Sequence, residues 1–436
     1  MRNIISQLID TFHERESFKV SPREIKLQNL TGKATTVIGM RRVGKTYLCY
    51  QQILKLRAEK VPSNTILYIN FEDDRLINFS IEDFQLLLDI YYSKYPQNIQ
   101  KTCHFFFDEI QNIPGWERFI RRVLDTENAN IYLTGSSAKL LSTEIATSLR
   151  GRSLTTELFP LSFCEYLKYN SIFKTIPKSF GSSTAATLRH AFNSYLHEGG
   201  FPETQGLATE IRIEVLQGYL DSVILRDIIE RHGVSNTLAL KHLVHNLLNT
   251  PGGQFSTNKF YNTLKSMGIK CTKNSLYNYL DHLCDSYLVY KVPLRSCSER
   301  VRAVNPAKYY PIDTGLVQAS TLQHSSNFGP LLENIVYLQL RRKTSNIEYY
   351  QHKKGYEVDF VTTDLTSGAV QLIQVSWDID SNQTKERELR GLSEAMKELK
   401  INSGLLITAD NEEEIITESG LVNVLPIWKW LLNNKY

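Results

Sequence analysis

Gly39, Gly44, Lys45 and Thr46 stand in the spacing GxxxxGK[ST], inside the stretch VIGMRRVGKT. Two glycines at that separation let the backbone curl until successive amides face one anion. The lysine then reaches the outer phosphates and the next hydroxyl reaches a magnesium ion. The chemistry implied is capture of a nucleoside triphosphate by Gly39, Met40, Arg41, Arg42, Val43, Gly44, Lys45, Thr46 and Tyr47. Further along, CHFFFDEIQNIPGWERFI ends an apolar run in two acids. Asp108 is placed to order Mg2+ together with Thr46, and Glu109 to polarise the attacking water. Lys45 and Glu109 are therefore the expected catalytic pair, with ATP and Mg2+ as cofactors, and the combination points to hydrolysis rather than passive binding.

Such residues act together only if strand and helix ends converge. TTVIGM is a short β-branched run entering a glycine, and KTYLCYQQILKLRAEK continues with a helical apolar rhythm, the strand, loop, helix setting that a phosphate loop needs. NTILYINFEDD and ANIYLTGSS read as further buried strands. Nearly continuous apolar strands divided by helical segments imply a parallel sheet covered on both faces. The last of these strands leads to Thr134, Ser136 and Ser137, where Ser136 either senses the γ phosphate or the lytic water, or with Ser137 caps the helix AKLLSTEIATSL. RGRSLTTELFPLSF then sets Arg150 and Arg152 before a fifth strand. Arginines at that edge enter a neighbour's site and neutralise charge on the γ phosphate, act in cis, or form a plain salt bridge. The first use makes both catalytic and implies a homo-oligomer.

The pieces GMRRVGKT, FFFDEIQNIPGWE, LTGSSAKLLSTEIATSLRGR and ELFPLSFCEYL, followed by SYLHEGGFPE, KYYPIDTGL, LLENIVYLQL and GYEVDFV, span most of the chain. In that order the sequence resembles the AAA-type ATPases of bacteria and archaea that bear a C-terminal domain of unknown function. The resemblance implies an ATP-binding core with a helical extension, a winged-helix-like middle and a nuclease-like tail; it does not supply a substrate.

Residues 171–237 suit helices of a small extension, divided by the tight EGGFPE turn. Arg226 beside Asp227 there is either a further phosphate sensor or a helical surface pair. Over 238–298 the pattern becomes short helices ending in a strand: a start at Ser256, a turn at Gly268, and a second helix from Thr272 with Leu276, Leu280 and Leu283 on one stripe. Lys270, Lys273 and Asn274 sit around the start of that second helix, where a DNA-reading module would meet phosphate or groove. Winged helices also dock proteins, so both partner classes stay open.

In the segment 299–436, GPLLENIVYLQLRRK reads as a helix carrying Glu333. IEYYQHKKGYEVDFVTTD reads as one strand and GAVQLIQVSWDID as another. Alternation puts Glu357, Asp359 and Val361 on one side of the first, with Gln374 and Ser376 on the same side of the second. The layout resembles the restriction-endonuclease core, in which a helix glutamate and a strand aspartate meet an acid-x-lysine strand to bind metal and activate water. Glu333 and Asp359 fit that pattern. Gln374 lacks the charge that would hold Mg2+ and Ser376 replaces the lysine; Glu357 partly compensates, while Lys353 or Lys354 would have to fold back. This site is expected to be catalytically degenerate. Trp377, Trp428 and Trp430 read as core-closing residues.

The fold class expected is α/β: a P-loop NTPase (AAA+-like) parallel sheet over 1–170, the helical extension over 171–237, the winged-helix-like module over 238–298 and the restriction-endonuclease-like domain over 299–436. With 436 residues, several cores are needed. A net charge of +4 neither demands nor excludes nucleic acid. Cys49, Cys103, Cys164, Cys271, Cys284 and Cys297 form no CxxC pair and read as reduced thiols of a cytoplasmic protein. MRNIISQLIDTF is too soon interrupted by charge for a signal peptide, and no apolar run approaches ~18 residues, so no membrane partner is expected. The leading expectation is Mg2+-dependent ATP hydrolysis that moves DNA-binding or protein-interaction domains, with double-stranded DNA or a protein client as partner. The alternatives are an ATP-gated metal-dependent DNA nuclease and a nucleotide-regulated interaction switch without nucleic acid.

Overall fold

The computed structural model describes residues 1–135, 149, 151–177, 179–321 and 328–433, with only the backbone of residue 303. It divides into two compact units, Met1–Phe159 and Pro160–Tyr436. No helix among the described residues is long and apolar enough to cross a membrane.

Five strands organise the first unit: β1 (Ala34–Ile38), β2 (Ile66–Asn70), β3 (Cys103–Asp108), β4 (Ala129–Gly135) and β5 (Ser153–Glu157). They hydrogen-bond in the order β2-β3-β4-β1-β5, every pair parallel. Every residue of β1 and β3 is buried, which is why neither alternates polar with apolar residues as a half-exposed strand does. Between them lies β4, whose Tyr132 ring stacks on Phe106 at 4.2 Å. The helix Trp116–Thr126 buries Trp116, Phe119, Ile120 and Val123, a 3.6-residue stripe. Each such side chain contributes roughly 1.5–3 kcal/mol of burial, which holds the helix on the sheet despite its charged outer face.

The second unit opens with the short helix Phe163–Tyr169, followed by the helices Ser182–Glu198 and Thr209–Ser222. The latter runs on into a π-helical segment, Val223–Glu230, that carries exposed Arg226 and buried Asp227. The helix Thr257–Ser266 starts at Ser256, whose side chain accepts from Lys259 N, and the helix Lys273–Asp285 at Thr272, which accepts from Ser275 N. Leu276, Leu280 and Leu283 are buried as one stripe. Beside these helices the short strands β6 (Gln254–Phe255), β7 (Val289–Val292) and β8 (Ala307–Pro311) form an antiparallel sheet in the order β6-β8-β7.

The rest of this unit surrounds a six-stranded mixed sheet. Its strands are β9 (Ile347–Gln351), β10 (Glu357–Thr363), β11 (Val370–Val375), β12 (Ser403–Thr408), β13 (Glu413–Thr417) and β14 (Gly420–Pro426), in the order β13-β14-β12-β11-β10-β9. The helix Asn382–Leu399 lays Leu392, Ala395 and Met396 into a core with Val358, Leu372 and Leu406. Two expectations are corrected here. The segment 347–363 is not one strand but the hairpin β9–β10, because Gly355 at φ +88° turns the chain. Val361 does not share the face of Glu357 and Asp359: a bulge between Val358 and Val361 shifts the register, and both valines enter the same apolar core.

Candidate functional site

The carboxyl ends of β1, β3 and β4 meet at one edge of the parallel sheet, and each delivers polar groups there. From β1 the chain passes into Gly39 at φ +145°, Arg42 at +67° and Gly44 at +100°. A side chain at Gly39 would be driven into the Leu158 carbonyl, so glycine is required by the close approach as well as the dihedral. The helix Lys45–Ala58 starts directly after the loop, its first amides free of side-chain caps and available to an anion. Met40 and Val43 are buried, Tyr47 lies outside, and Arg41 reaches Glu72 at 3.2 Å.

Lys45 is buried at 5% exposure and curls over its own loop. Its Nζ donates to Gly39 O at 3.3 Å and Met40 O at 3.2 Å, and lies 3.4 Å from Glu109 Oε1. Glu109 follows β3 in the left-handed region, φ +51°, its amide held by Thr134 Oγ1 at 2.9 Å. Burial pushes its carboxyl up, but the Lys45 ammonium, the bond from Gln111 Nε2 at 2.5 Å and Arg41 outweigh that and hold it below the usual range. Asp108 is fully buried and accepts from Thr46 Oγ1 and Tyr68 Oη, both at 2.7 Å, and from Thr134 Oγ1. Burial and the neighbouring Glu109 charge push its carboxyl up, against the pull of those three hydroxyls.

The donor set suits a nucleotide with its metal. Thr46 and Asp108 touch directly where a hard cation takes one hydroxyl and one carboxylate, usually through water, with phosphate oxygens for the rest. Among the described residues, no group of three or more His, Cys, Asp or Glu side chains is arranged to hold a metal ion. A site completed by phosphate oxygens does not require such a group.

Several contributors have no motif. Tyr68 comes from β2, and Arg23, 8% exposed, donates to Val43 O at 2.9 Å and Phe159 O at 2.7 Å, tying the phosphate loop to the chain after β5. Nothing in SPREIKL or LYIN signals either role, since each depends on a contact distant in sequence. Arg152 pairs with the Asp125 carboxylate on an exposed surface. Ser136, Ser137 and Arg150 lie outside the described residues.

In the second unit, Lys270, Lys273 and Asn274 are exposed; Lys273 Nζ stands 5.4 Å from the Tyr261 ring and Lys270 O accepts from Asn236 Nδ2. Glu333, Glu357 and Asp359 come together, but around Lys308, which sequence reasoning missed. Exposed Lys353 and Lys354 occupy the β9–β10 turn. Gln374 is spent on scaffolding: its Oε1 accepts from Asp359 N at 3.1 Å and its Nε2 donates to Glu388 at 2.7 Å. Ser376 Oγ bonds Asp378 O at 2.8 Å. Burial, then the Asp359 charge, raise the Glu333 carboxyl to about 7, against Lys308 and the Tyr310 hydroxyl.

Three family models cover most of the chain: AAA domain over residues 31–167, a domain of unknown function (DUF8612) over 189–327, and a second (DUF4143) over 328–430. The chain is similar to the uncharacterized protein MJ1544 of Methanocaldococcus jannaschii, 38% identical with 98% of this chain and 94% of that protein covered. An uncharacterized protein of Haemophilus influenzae is 29% identical, with 94% of this chain and 98% of that one covered. Among solved structures, the Walker-type ATPase PABY2304 of Pyrococcus abyssi matches with a TM-score of 0.41 and 15% identity, over 73% of this chain and 95% of that chain.

Proposed function

The chain belongs to the family of MJ1544, with an AAA-type ATPase domain at its N-terminal end, and on that premise we propose that it binds ATP with Mg2+ and hydrolyses it at the edge of the parallel sheet. The observation that carries the reading is the convergence of Lys45, Thr46, Asp108, Glu109 and Thr134 from three neighbouring strand ends. Lys45 exchanges its two carbonyl contacts for β and γ phosphate oxygens. Glu109, released from the ammonium, then holds a water in line and draws its proton. Thr46 and Asp108 would hold the Mg2+, which would supply charge neutralisation at the phosphates. Thr134 keeps the backbone of Glu109 and the carboxylate of Asp108 in fixed relation.

The test separates binding from turnover. Lys45→Ala loses nucleotide affinity, whereas Glu109→Gln keeps ATP and loses turnover, read by fluorescent-nucleotide titration and phosphate release. Unchanged hydrolysis in Glu109→Gln would assign the water to another group.

In the same reading, residues 1–170 form the ATPase core, 171–237 a helical extension, 238–298 a winged-helix-like module and 299–436 a restriction-endonuclease-like domain that no longer cuts. Hydrolysis shifts the downstream domains, and exposed Lys270, Lys273 and Asn274 are the proposed contacts to duplex DNA. Binding that weakens steeply with salt, and less so in Lys270→Ala/Lys273→Ala, is the expected signature. No salt-sensitive DNA association would favour a nucleotide-regulated switch acting on a protein client.

A further inference from the structure

Side chains from three elements of the second unit meet at a single nitrogen. Lys308 stands on β8, the central strand of its sheet, and is 3% exposed. Its Nζ lies 2.9 Å from Glu333 Oε1 on the helix Gly329–Arg341, 2.6 Å from Glu357 Oε1 and 2.9 Å from Asp359 Oδ1, both on β10. An ammonium has three hydrogens, and three carboxylates account for them. Two of the three remaining oxygens are also committed: Asp359 Oδ2 accepts from Val375 N at 3.0 Å and Glu357 Oε2 from Gln254 Nε2 at 2.7 Å. Tyr310, two residues along β8 on the same face, donates to Glu333 Oε1 at 2.6 Å.

In a nuclease-like site these three acids would surround a divalent cation. Here the residues do not fit one, because Nζ already stands between the acids, within 2.9 Å of an oxygen of each. Two cations cannot share that position, since their repulsion in a poorly solvated pocket exceeds what a further ligand returns. Gln374, the nearest counterpart of a further ligand in the nuclease pattern, is turned to the Asp359 backbone and Glu388. The chain entering β6 lines one side of the cluster: Gly252 lies so near Glu333 that a Cβ there would stand 2.9 Å from Oε1, and Gln254, opposite Lys308 in the β6–β8 register, holds Glu357.

We infer that Lys308 is the resident cation of this acid cluster, standing where a divalent metal would otherwise sit, so that the cluster pins β8 and β6 to the C-terminal sheet instead of binding Mg2+ or Mn2+. The inference is independent of the nucleotide site, whose residues lie in the other unit and are unchanged in every variant below.

The experiment is a Mn2+ titration of the full, nucleotide-free chain, followed by the paramagnetic signal of free Mn2+, on wild type, Asp359→Asn, Lys308→Met and Lys308→Met/Asp359→Asn. Wild type and Asp359→Asn should give superimposable isotherms. Lys308→Met, with the acids left uncompensated, should gain one ion bound about tenfold or more tighter than any in wild type, because ligand charge sets affinity for such ions. The double variant should lose it. Should Lys308→Met unfold without metal, its melting temperature should rise with Mn2+ while that of the soluble Lys308→Arg variant does not. A wild-type ion that Asp359→Asn removes would overturn the inference and return the cluster to metal chemistry. So would a folded Lys308→Met that gains no ion.

Discussion

Asp108 and Glu109 are adjacent buried acids on which the two charge environments act oppositely. Glu109 is held low by Lys45 despite its burial, and Asp108 is raised by burial and by Glu109. The Lys45 ammonium thus favours the ionised form of Glu109, the form that the proposed role of proton acceptor requires. Glu109→Gln is expected to lower kcat by roughly 10²–10⁴, the range for a removed general base, with the ATP dissociation constant little changed. Tyr68 tests the other acid. Its hydroxyl bond lowers the Asp108 pKa, so Tyr68→Phe lets that pKa rise further. If turnover needs ionised Asp108, the acid limb of the kcat/KM profile moves to higher pH in Tyr68→Phe, while the neutral-pH plateau persists. A superimposable acid limb would show that Asp108 does not govern it.

Among the elements, the turn between the helices Ser182–Glu198 and Thr209–Ser222 shows what a motif can and cannot tell. EGGFPE reads as a tight turn, and Gly199 does adopt φ +73°. The second reason for glycine is invisible locally: Asp313, which caps the helix Thr314–Ser320, sets its carboxylate against Gly199 and accepts from Gly200 N at 2.6 Å and Leu316 N at 3.1 Å. Gly199→Ala should cost about 3 kcal/mol or more, combining a left-handed backbone with a clash against a buried acid, as a denaturant midpoint would report. Burial lifts the Asp313 carboxyl from 3.8 to about 6 against its backbone donors. The unfolded chain then releases this proton first. The folded state is favoured below pH 3.8 and loses that advantage as pH rises to about 6, by on the order of 2–3 kcal/mol. Asp313→Asn should flatten stability across that window. The meeting of the Gly39–Thr46 loop with the acids at the end of β3 was legible because each motif is defined by neighbours in sequence. Lys308, Arg23 and Tyr68 were not, because each finds its partner across tens of residues with no spacing rule. The β10 bulge likewise broke an alternation that the residue types alone suggested.

At the scale of the whole molecule, the arginines before β5 bear on whether one chain completes its own nucleotide site. Arg152, the described member of the arginine pair before β5, is 45% exposed and paired with Asp125, itself 57% exposed. A surface ion pair of this kind contributes about 0–1 kcal/mol, so it anchors nothing and is readily given up for a phosphate on another copy. If Arg152 acts in trans, Asp125→Ala leaves turnover intact, whereas Arg152→Ala lowers it roughly 10³-fold or more, as for a removed arginine finger, without shifting the melting temperature. Specific activity of wild type should also climb with protein concentration as copies associate. Mixing decides between trans and cis. Arg152→Ala keeps Lys45 and lacks the finger, while Lys45→Ala keeps the finger and lacks the phosphate lysine. Combined, the two inactive chains should form some interfaces in which an intact loop faces an intact arginine, and turnover should reappear. A mixture as inactive as its components, beside a wild type whose specific activity is flat with concentration, would make Arg152 a partner of Asp125 alone.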